Sequence, residues 1–341
     1  MKKYFTGVIL SIMLPCITSC SGKQIDSLTY AVYPYLPDAG YYQEIIESRW
    51  AVVEPDIELI RADWNCYEDG EPEGIDVIMY DAVMRDALID AGWIQPIGAD
   101  SVKGSGDIFP FALEGLTREG RLYGIPVFLC GNFLIYDKDC EVLEKADHIT
   151  DLADQSEILV VNSEDSGNRA QYKIEVAADA LGEANPSPEN ISEDTMRLID
   201  RLAVDTYKRV DDAQVAMAYD EGTGCGYIGF SESIRLLRER SDRTGIKTIS
   251  FSERENILRL YADAAAVTAG AEGIRYEKCL ELINVMAESD VLSAISVMEG
   301  APQYLLLARS TPYQSLSEAF PLYARLEELA ANENNHVILT R

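Results

Sequence analysis

The sequence predicts an α/β protein of two lobes separated by a cleft, each lobe a mostly parallel sheet flanked by helices. Three observations predict it. From residue 28 onward, short β-rich runs alternate with stretches of helical periodicity, the pattern of a parallel sheet covered on both faces. The chain has 341 residues, enough for two cores. Two long apolar runs, 122–136 and 258–268, are placed where the chain would leave the first lobe and later return to it.

Taken in order, residues 28–33 alternate and form a first strand, and 41–53 carry helical periodicity. Residues 57–60 and 75–80 read as a second strand and a third, buried one, followed by a helix over 82–91. The apolar run 122–136, interrupted by Pro126, suits a strand crossing between lobes. Residues 158–162 are a strand, and 171–180 and 191–207 are helical. A glycine-rich turn over 222–226 leads into a short strand, then Ser231-Glu-Ser233 and a helix from Ile234. Helices over 272–287 and 317–329 complete the chain. The expected division is 26–127 with 265–300 for lobe I, and 128–262 with 301–341 for lobe II, after a leader at 1–20. Ligands of open α/β sheets bind beyond the carboxyl ends of the strands, which makes the cleft the site.

The first residues are basic, the run from Val8 to Pro15 is apolar, and Ile17-Thr-Ser-Cys20 follows. This is the layout of a secretory signal, too short to span a bilayer as a mature helix. Ile-Thr-Ser-Cys is similar to the lipobox of bacterial lipoproteins. That likeness implies lipid attachment at Cys20 and an extracytoplasmic protein held to a membrane by its lipid alone. The formal charge of −29, from 58 acidic and 29 basic residues, argues against a nucleic-acid partner. It suits an exported soluble protein and favours a cationic small ligand.

Beyond Cys16 and Cys20 there remain Cys66, Cys130, Cys140, Cys225 and Cys279, an odd number that leaves at least one thiol free even where disulfides form. There is no CxxC pair, and His148 and His336 are the only histidines. A zinc site or a histidine-assisted nucleophile is therefore disfavoured. Any base for a thiol must be a carboxylate, a tyrosine or a lysine.

The residues with chemistry to offer fall at strand ends or just after them: Tyr33, Tyr67, Asp81, Cys130, Glu232, Tyr261 and Asp263. Each also has a bland reading. Cysteine is among the most buried residue types and is usually inert there. Asp81 is placed to cap the helix after it. Glu232 would favour a helix start by meeting its dipole. Most of the 19 tyrosines should simply pack. Gly222-Thr-Gly-Cys-Gly226 lacks the strand-before, helix-after context of a phosphate loop and reads as a turn.

Five blocks in order add a resemblance: Ala31-Val-Tyr-Pro-Tyr-Leu-Pro-Asp38, Ile75-Asp-Val-Ile-Met-Tyr-Asp81, Tyr123-Gly-Ile-Pro-Val-Phe-Leu-Cys130, Ile228-Gly-Phe-Ser-Glu-Ser233 and Pro302-Gln-Tyr-Leu-Leu306. Over essentially the whole chain after the leader, the sequence resembles thiaminase I (thiamine pyridinylase), a family built on the type 2 periplasmic-binding-protein fold. The resemblance implies Cys130 as nucleophile and Glu232 as catalytic glutamate, with Tyr33, Tyr67, Asp81, Tyr261 and Asp263 lining a pyrimidine pocket. It implies no metal or organic cofactor, a monomer, and thiamine with a small amine or thiol as substrates. Two positions depart from the pattern. Phe230 stands where a tyrosine is expected, and no tyrosine is present near Ala213 and Gln214.

The chemistry so implied suits these residue types. Thiolate attack at the pyrimidine C6 expels the thiazole, and a second nucleophile then adds at the methylene as the cysteine leaves. Two other readings share the fold and cleft: a lipoprotein binding subunit of an importer for thiamine or a related pyrimidine, and a sugar binder. Fold alone does not choose among them.

Overall fold

The computed structural model describes residues 25–148, 151, 159–161, 212–248 and 258–339. The expected leader, its Cys20 and the helices expected over 171–180 and 191–207 lie outside the described residues. The strands of the two main sheets are β1 Ser27–Ala31, β2 Glu58–Arg61, β3 Val77–Asp81, β4 Ile125–Cys130, β5 Phe133–Asp137, β6 Leu159–Val161, β7 Gly226–Gly229, β8 Thr244–Lys247, β9 Arg259–Val267, β10 Leu306–Leu307 and β11 His336–Val337. The helices are α1 Ala39–Val53, α2 Arg85–Asp90, α3 Pro110–Gly115, α4 Glu141–Lys145, α5 Asp212–Asp220, α6 Gly273–Met286, α7 Ser289–Ile295, α8 Thr311–Ala319 and α9 Leu322–Ala330.

The larger sheet runs β10-β4-β9-β3-β1-β2, with β11 extending the ladder of β9. Its middle strands are apolar on both faces, as covered strands must be. Every residue of β3 is buried, and β4 is buried up to Cys130. Helix α1 starts where the Asp38 carboxylate accepts the Tyr41 N–H at 2.9 Å. It covers the sheet with Tyr42, Ile46 and Trp50. The Tyr42 hydroxyl then donates to Met286 O of α6 at 2.6 Å, tying two covering helices together. The smaller sheet runs β8-β5-β7-β6, with α5 packed on β7.

Both sheets are mixed, where mostly parallel ones were expected. Strands β1, β2 and β3 pair in parallel, but β9 lies antiparallel between β3 and β4, and β10 is antiparallel to β4. The cause is the crossing itself. β4 carries the chain out of the larger sheet, and β9 brings it back from the other side, so the two must run oppositely. In the smaller sheet β5 is antiparallel to both its neighbours, and only β6 and β7 are parallel.

Sheet membership also moves the expected lobe boundaries. Positions 128 and 262 fall inside β4 and β9, which lie whole within the larger sheet. A strand already paired keeps its ladder to its last residue, because each buried N–H and C=O needs a partner. The segment 301–341, expected in lobe II, gives the larger sheet β10 and β11. The apolar run 122–136 is two strands in two sheets, with the crossing at Gly131-Asn132. The helix expected over 317–329 is likewise two. Phe320 precedes Pro321 and is forced to extended backbone (φ −135°, ψ 93°), which ends α8 before α9 begins. Helix α9 links the sheets: the Arg325 Nε–H donates to Ile246 O of β8 at 3.3 Å.

Candidate functional site

Strands β1, β3 and β4 point their carboxyl ends the same way, and the residues singled out in the sequence gather there. Asp81 is the last residue of β3 and Cys130 the last of β4. Across the antiparallel ladder, Tyr261 is the direct partner of Cys130, and Asp263 is the direct partner of both Phe128 and Asp81. Direct partners in a ladder project their side chains to the same face. One face of the sheet therefore carries Cys130, Tyr261, Phe128, Asp263 and Asp81 side by side.

Asp81 combines its two possible roles. Its Oδ1 accepts the Val83 N–H at 3.0 Å, capping the short 3₁₀ turn that leads into α2, while its Oδ2 accepts a short hydrogen bond from the Tyr67 hydroxyl. Tyr67 belongs to a three-ring cluster. Its ring centroid lies 6.3 Å from both Tyr33 and Tyr35, and Tyr33 and Tyr35 meet edge-on at 5.4 Å. Tyr35 is the member the sequence did not single out. It is 59% exposed and held by its hydroxyl, which accepts from Asn65 Nδ2 at 3.2 Å and donates to Glu68 at 3.4 Å. The signal was present in Tyr33-Pro-Tyr35: proline presets the φ of a turn, here closed by the Leu36 N–H donating to Tyr33 O at 3.4 Å, and the turn folds the two rings together.

The electrostatics follow from burial and crowding. Asp263 is only 6% exposed, and burial together with the charges of Asp81 and Glu232 pushes its carboxyl well above the usual range. Burial, Asp263 and Asp81 raise the Tyr33 hydroxyl, and burial and Asp81 raise that of Tyr67, so both rings stay neutral hydrogen-bonding walls. Cys66 lies behind this cluster, 3% exposed, with burial pushing its thiol up to about 12. It is a packed cysteine, whereas Cys130 is only partly buried.

Glu232 reaches the site from the smaller sheet. It lies in the first turn of a 3₁₀ helix, Ser231–Leu236, that follows β7 directly; no α-helix continues from Ile234 as the sequence suggested. Phe133 and Gly229 are partners in the β5–β7 ladder. Counting three residues back from Phe133 gives Cys130, and three forward from Gly229 gives Glu232. Glu232 is near enough for its charge to help raise the Asp263 carboxyl. The crossing there is tight: a Cβ on Gly131 would sit 2.8 Å from Leu260 Cδ2 and 3.3 Å from Arg259 O, so both neighbours would have to shift. Phe230 is half-buried at the entry to this turn, and Ala213 and Gln214 are exposed on α5.

Every sequence-predicted site residue within the described segments thus converges on one region where the two sheets meet. The arrangement offers a half-buried thiol, a carboxylate on the facing lobe, an electronegative floor and an aromatic wall. It suits a flat, cationic ring system.

No protein-family model matches the chain. Thiaminase-1 of Paenibacillus thiaminolyticus is 28% identical over 340 residues, covering 91% of this chain and 83% of that protein. The structure of thiaminase I from Bacillus thiaminolyticus superimposes with a TM-score of 0.83 at 27% identity, covering 92% of this chain and 94% of that one. Clostridium botulinum thiaminase I, solved in complex with thiamin, gives a TM-score of 0.83 at 28% identity and the same coverage. A likeness of fold alone, at 14% identity and a TM-score of 0.70, extends to maltose-bound MalE3 of T. maritima, covering 91% of this chain and 88% of that one. The architecture is the two-lobe periplasmic-binding-protein fold, and in sequence and fold together the chain resembles the thiaminase I family over more than nine-tenths of its length.

Proposed function

We propose that the protein cleaves thiamine by exchanging its thiazole for an external amine or thiol, with Cys130 as nucleophile and Glu232 as base. The observation that carries the proposal is the placement of Cys130 at the end of β4. There its ladder partner is Tyr261, the Asp81–Asp263 pair lies one step along the face, and Glu232 enters from the facing lobe. The likeness to a thiaminase I solved with thiamin supports the choice of ligand.

In this mechanism Glu232 takes the proton of Cys130, because the thiolate is the competent nucleophile. The sulfur adds to C6 of the aminopyrimidine. Electrons move toward the bridging methylene, and the C–N bond to the thiazolium breaks with its electron pair going to the thiazole nitrogen, which leaves neutral. Glu232 releases its first proton to solvent, then takes the proton of the incoming amine or thiol as that adds to the exocyclic methylene, and returns it to the departing Cys130 sulfur. The ring regains aromaticity as the Cys130–C6 bond breaks. General-base assistance of this kind contributes roughly 10²–10⁴-fold. Asp81 and Asp263 hold the amino group and ring nitrogens, and the tyrosines offer cation–π stacking worth about 0.5–2 kcal/mol to the thiazolium. Phe230 leaves that position without the hydroxyl a tyrosine would bring, which bears on substrate preference rather than on the thiol–carboxylate pair. We further propose that the chain works as a monomer outside the cytoplasm, anchored by a lipid on Cys20; the basic start, apolar run and Ile17-Thr-Ser-Cys20 support that reading.

The test is incubation of purified protein with thiamine plus pyridine or a simple thiol, following thiazole release by mass-resolved chromatography. Catalytic release that disappears in Cys130→Ser is the expected result. Tight binding with stoichiometric survival of thiamine would overturn the proposal in favour of a transport receptor.

A further inference from the structure

At the end of the β5–β7 ladder remote from the site, two cysteines meet. The Asp137 N–H at the end of β5 donates to Cys225 O at 2.8 Å, and the Cys140 N–H turns back to donate to Asp137 O at 2.9 Å. These backbone bonds stack Cys140, Asp137 and Cys225 in one corner, where burial first and then the neighbouring Cys140 side chain raise the Cys225 thiol. Both cysteines are half-buried. The close approach is built in by a glycine. Next to Cys225, a Cβ on Gly226 would sit 2.6 Å from Leu143 Cδ1 of α4 and 2.7 Å from Ile135 O. Helix α4, which Cys140 caps, is therefore seated directly on β7.

We propose that Cys140 and Cys225 form a disulfide that staples β5 to β7, and that Cys130 is left out of it. The two other cysteines beyond the leader are unsuited to pairing. Cys66 is 3% exposed and Cys279 fully buried, on different elements, with burial pushing both thiols up to about 12. Pairing Cys140 with Cys225 thus leaves one accessible thiol among the described residues, the one in the cleft.

The bond forms by exchange with a disulfide donor, either an oxidised dithiol oxidoreductase or a small disulfide. One thiolate of the pair attacks the donor disulfide and displaces a donor thiolate. The second then attacks the mixed disulfide and releases the other donor sulfur as a thiolate, so that a small disulfide leaves as two thiols and an oxidoreductase as its reduced dithiol. Two electrons and two protons pass from the cysteines to the donor, and the sulfurs close to about 2.05 Å. The closed loop spans roughly 85 residues, long enough for a substantial entropic effect on the unfolded chain.

The position gives the staple a consequence at the site. Strand β5 runs from the cleft to the thiol corner, starting three residues after Cys130, and β7 runs back from the corner to the cleft, ending three residues before Glu232. A covalent link at the remote end fixes the register of this pair, and a one-residue slip would invert every side chain along it. The inference rests on this corner alone and stands whether or not thiamine is the substrate.

The test begins with the full protein exposed to oxidised glutathione, followed by alkylation of free thiols and digestion without reductant. The expected result is a joined peptide containing Cys140 and Cys225, lighter by two hydrogens than its parts, with the Cys130 peptide alkylated. Addition of a phosphine reductant, which is not a thiol nucleophile, should lower the melting midpoint by roughly 3–10 °C. No such shift should occur in Cys140→Ser or Cys225→Ser. Recovery of both cysteines as alkylated peptides after prolonged exposure would overturn the proposal, as would a joined peptide containing Cys130. Neither readout on the unmodified protein depends on a variant folding.

Discussion

Asp263 and Asp81 are direct partners across the β9–β3 ladder, so two carboxyls stand together at the floor of the cleft. Asp263 is the more enclosed, at 6% exposed, and Asp81 has the Tyr67 hydroxyl on one oxygen and a backbone N–H on the other. Two like charges at that spacing in a poorly solvated site repel, and the proton goes to the carboxyl with less solvation. A pair arranged in this way is costly when empty and suited to a cationic ligand.

The sign of the resulting pH dependence is fixed. The Asp263 carboxyl is raised in the folded state, so above its unfolded value of about 3.9 the folded protein binds more protons than the unfolded one. The unliganded protein should lose stability as pH rises from there toward the folded-state value, beyond which the loss is complete. Asp263→Asn removes the charge while keeping the size. It should be more stable than the wild type at pH 7–8 by about 1–3 kcal/mol, with a flatter profile. Urea midpoints from pH 5 to 8 check this; an equal slope in the variant would move the effect to another group.

Cys130→Ser should lower turnover by at least about 10³-fold, because serine lacks a comparably acidic and polarisable nucleophile. Thiamine binding should change by less than about threefold, since Cys130 supplies little of the wall formed by the tyrosines and aspartates. Calorimetric binding beside a turnover assay separates the two effects. Retained turnover would remove Cys130 from the chemistry.

Glu232→Gln keeps the turn after β7 but cannot accept the thiol proton. The expected loss in kcat is roughly 10²–10⁴-fold, and alkylation of Cys130 by a cleft-directed electrophile should slow at neutral pH. Raising the pH should restore part of the alkylation rate, as hydroxide replaces the missing base. An unchanged alkylation rate at neutral pH would assign Glu232 to another step.

What could be read from the residues divides along physical lines. Cys130, Asp81 and Asp263 were legible because each sits in or at the end of an apolar run, where a polar side chain must have a reason. Glu232 was legible as the start of a turn, but its approach to Asp263 depends on the β5–β7 ladder, a non-local pairing no local pattern encodes. The mixed sheets were missed for the same cause: periodicity finds a strand but does not give its direction. The division at Phe320-Pro321 was written in the sequence, yet helical periodicity on both sides hid it. Tyr35 was passed over because an exposed ring in a proline-rich segment looks like any surface tyrosine until the Tyr33 and Tyr67 rings are seen against it.

Tyr35 yields the last prediction. Its ring is mostly exposed and touches the two half-buried tyrosines edge-on or tilted, so it adds little to the core but presents a face at the mouth of the cleft. Tyr35→Ala should change unfolding stability by no more than about 0.5 kcal/mol. Loss of one stacking contact with a cationic ring, worth about 0.5–2 kcal/mol, corresponds to a rise in KM for thiamine of roughly 2–30-fold, with kcat nearly unchanged. Tyr35→Phe keeps the ring and loses only the hydroxyl bonds to Asn65 and Glu68, and should recover most of the affinity. If Phe and Ala behave alike, the hydroxyl network that holds the loop matters more than the ring, and Tyr35 is a positioning residue for Tyr33 and Tyr67 rather than a contact for the ligand.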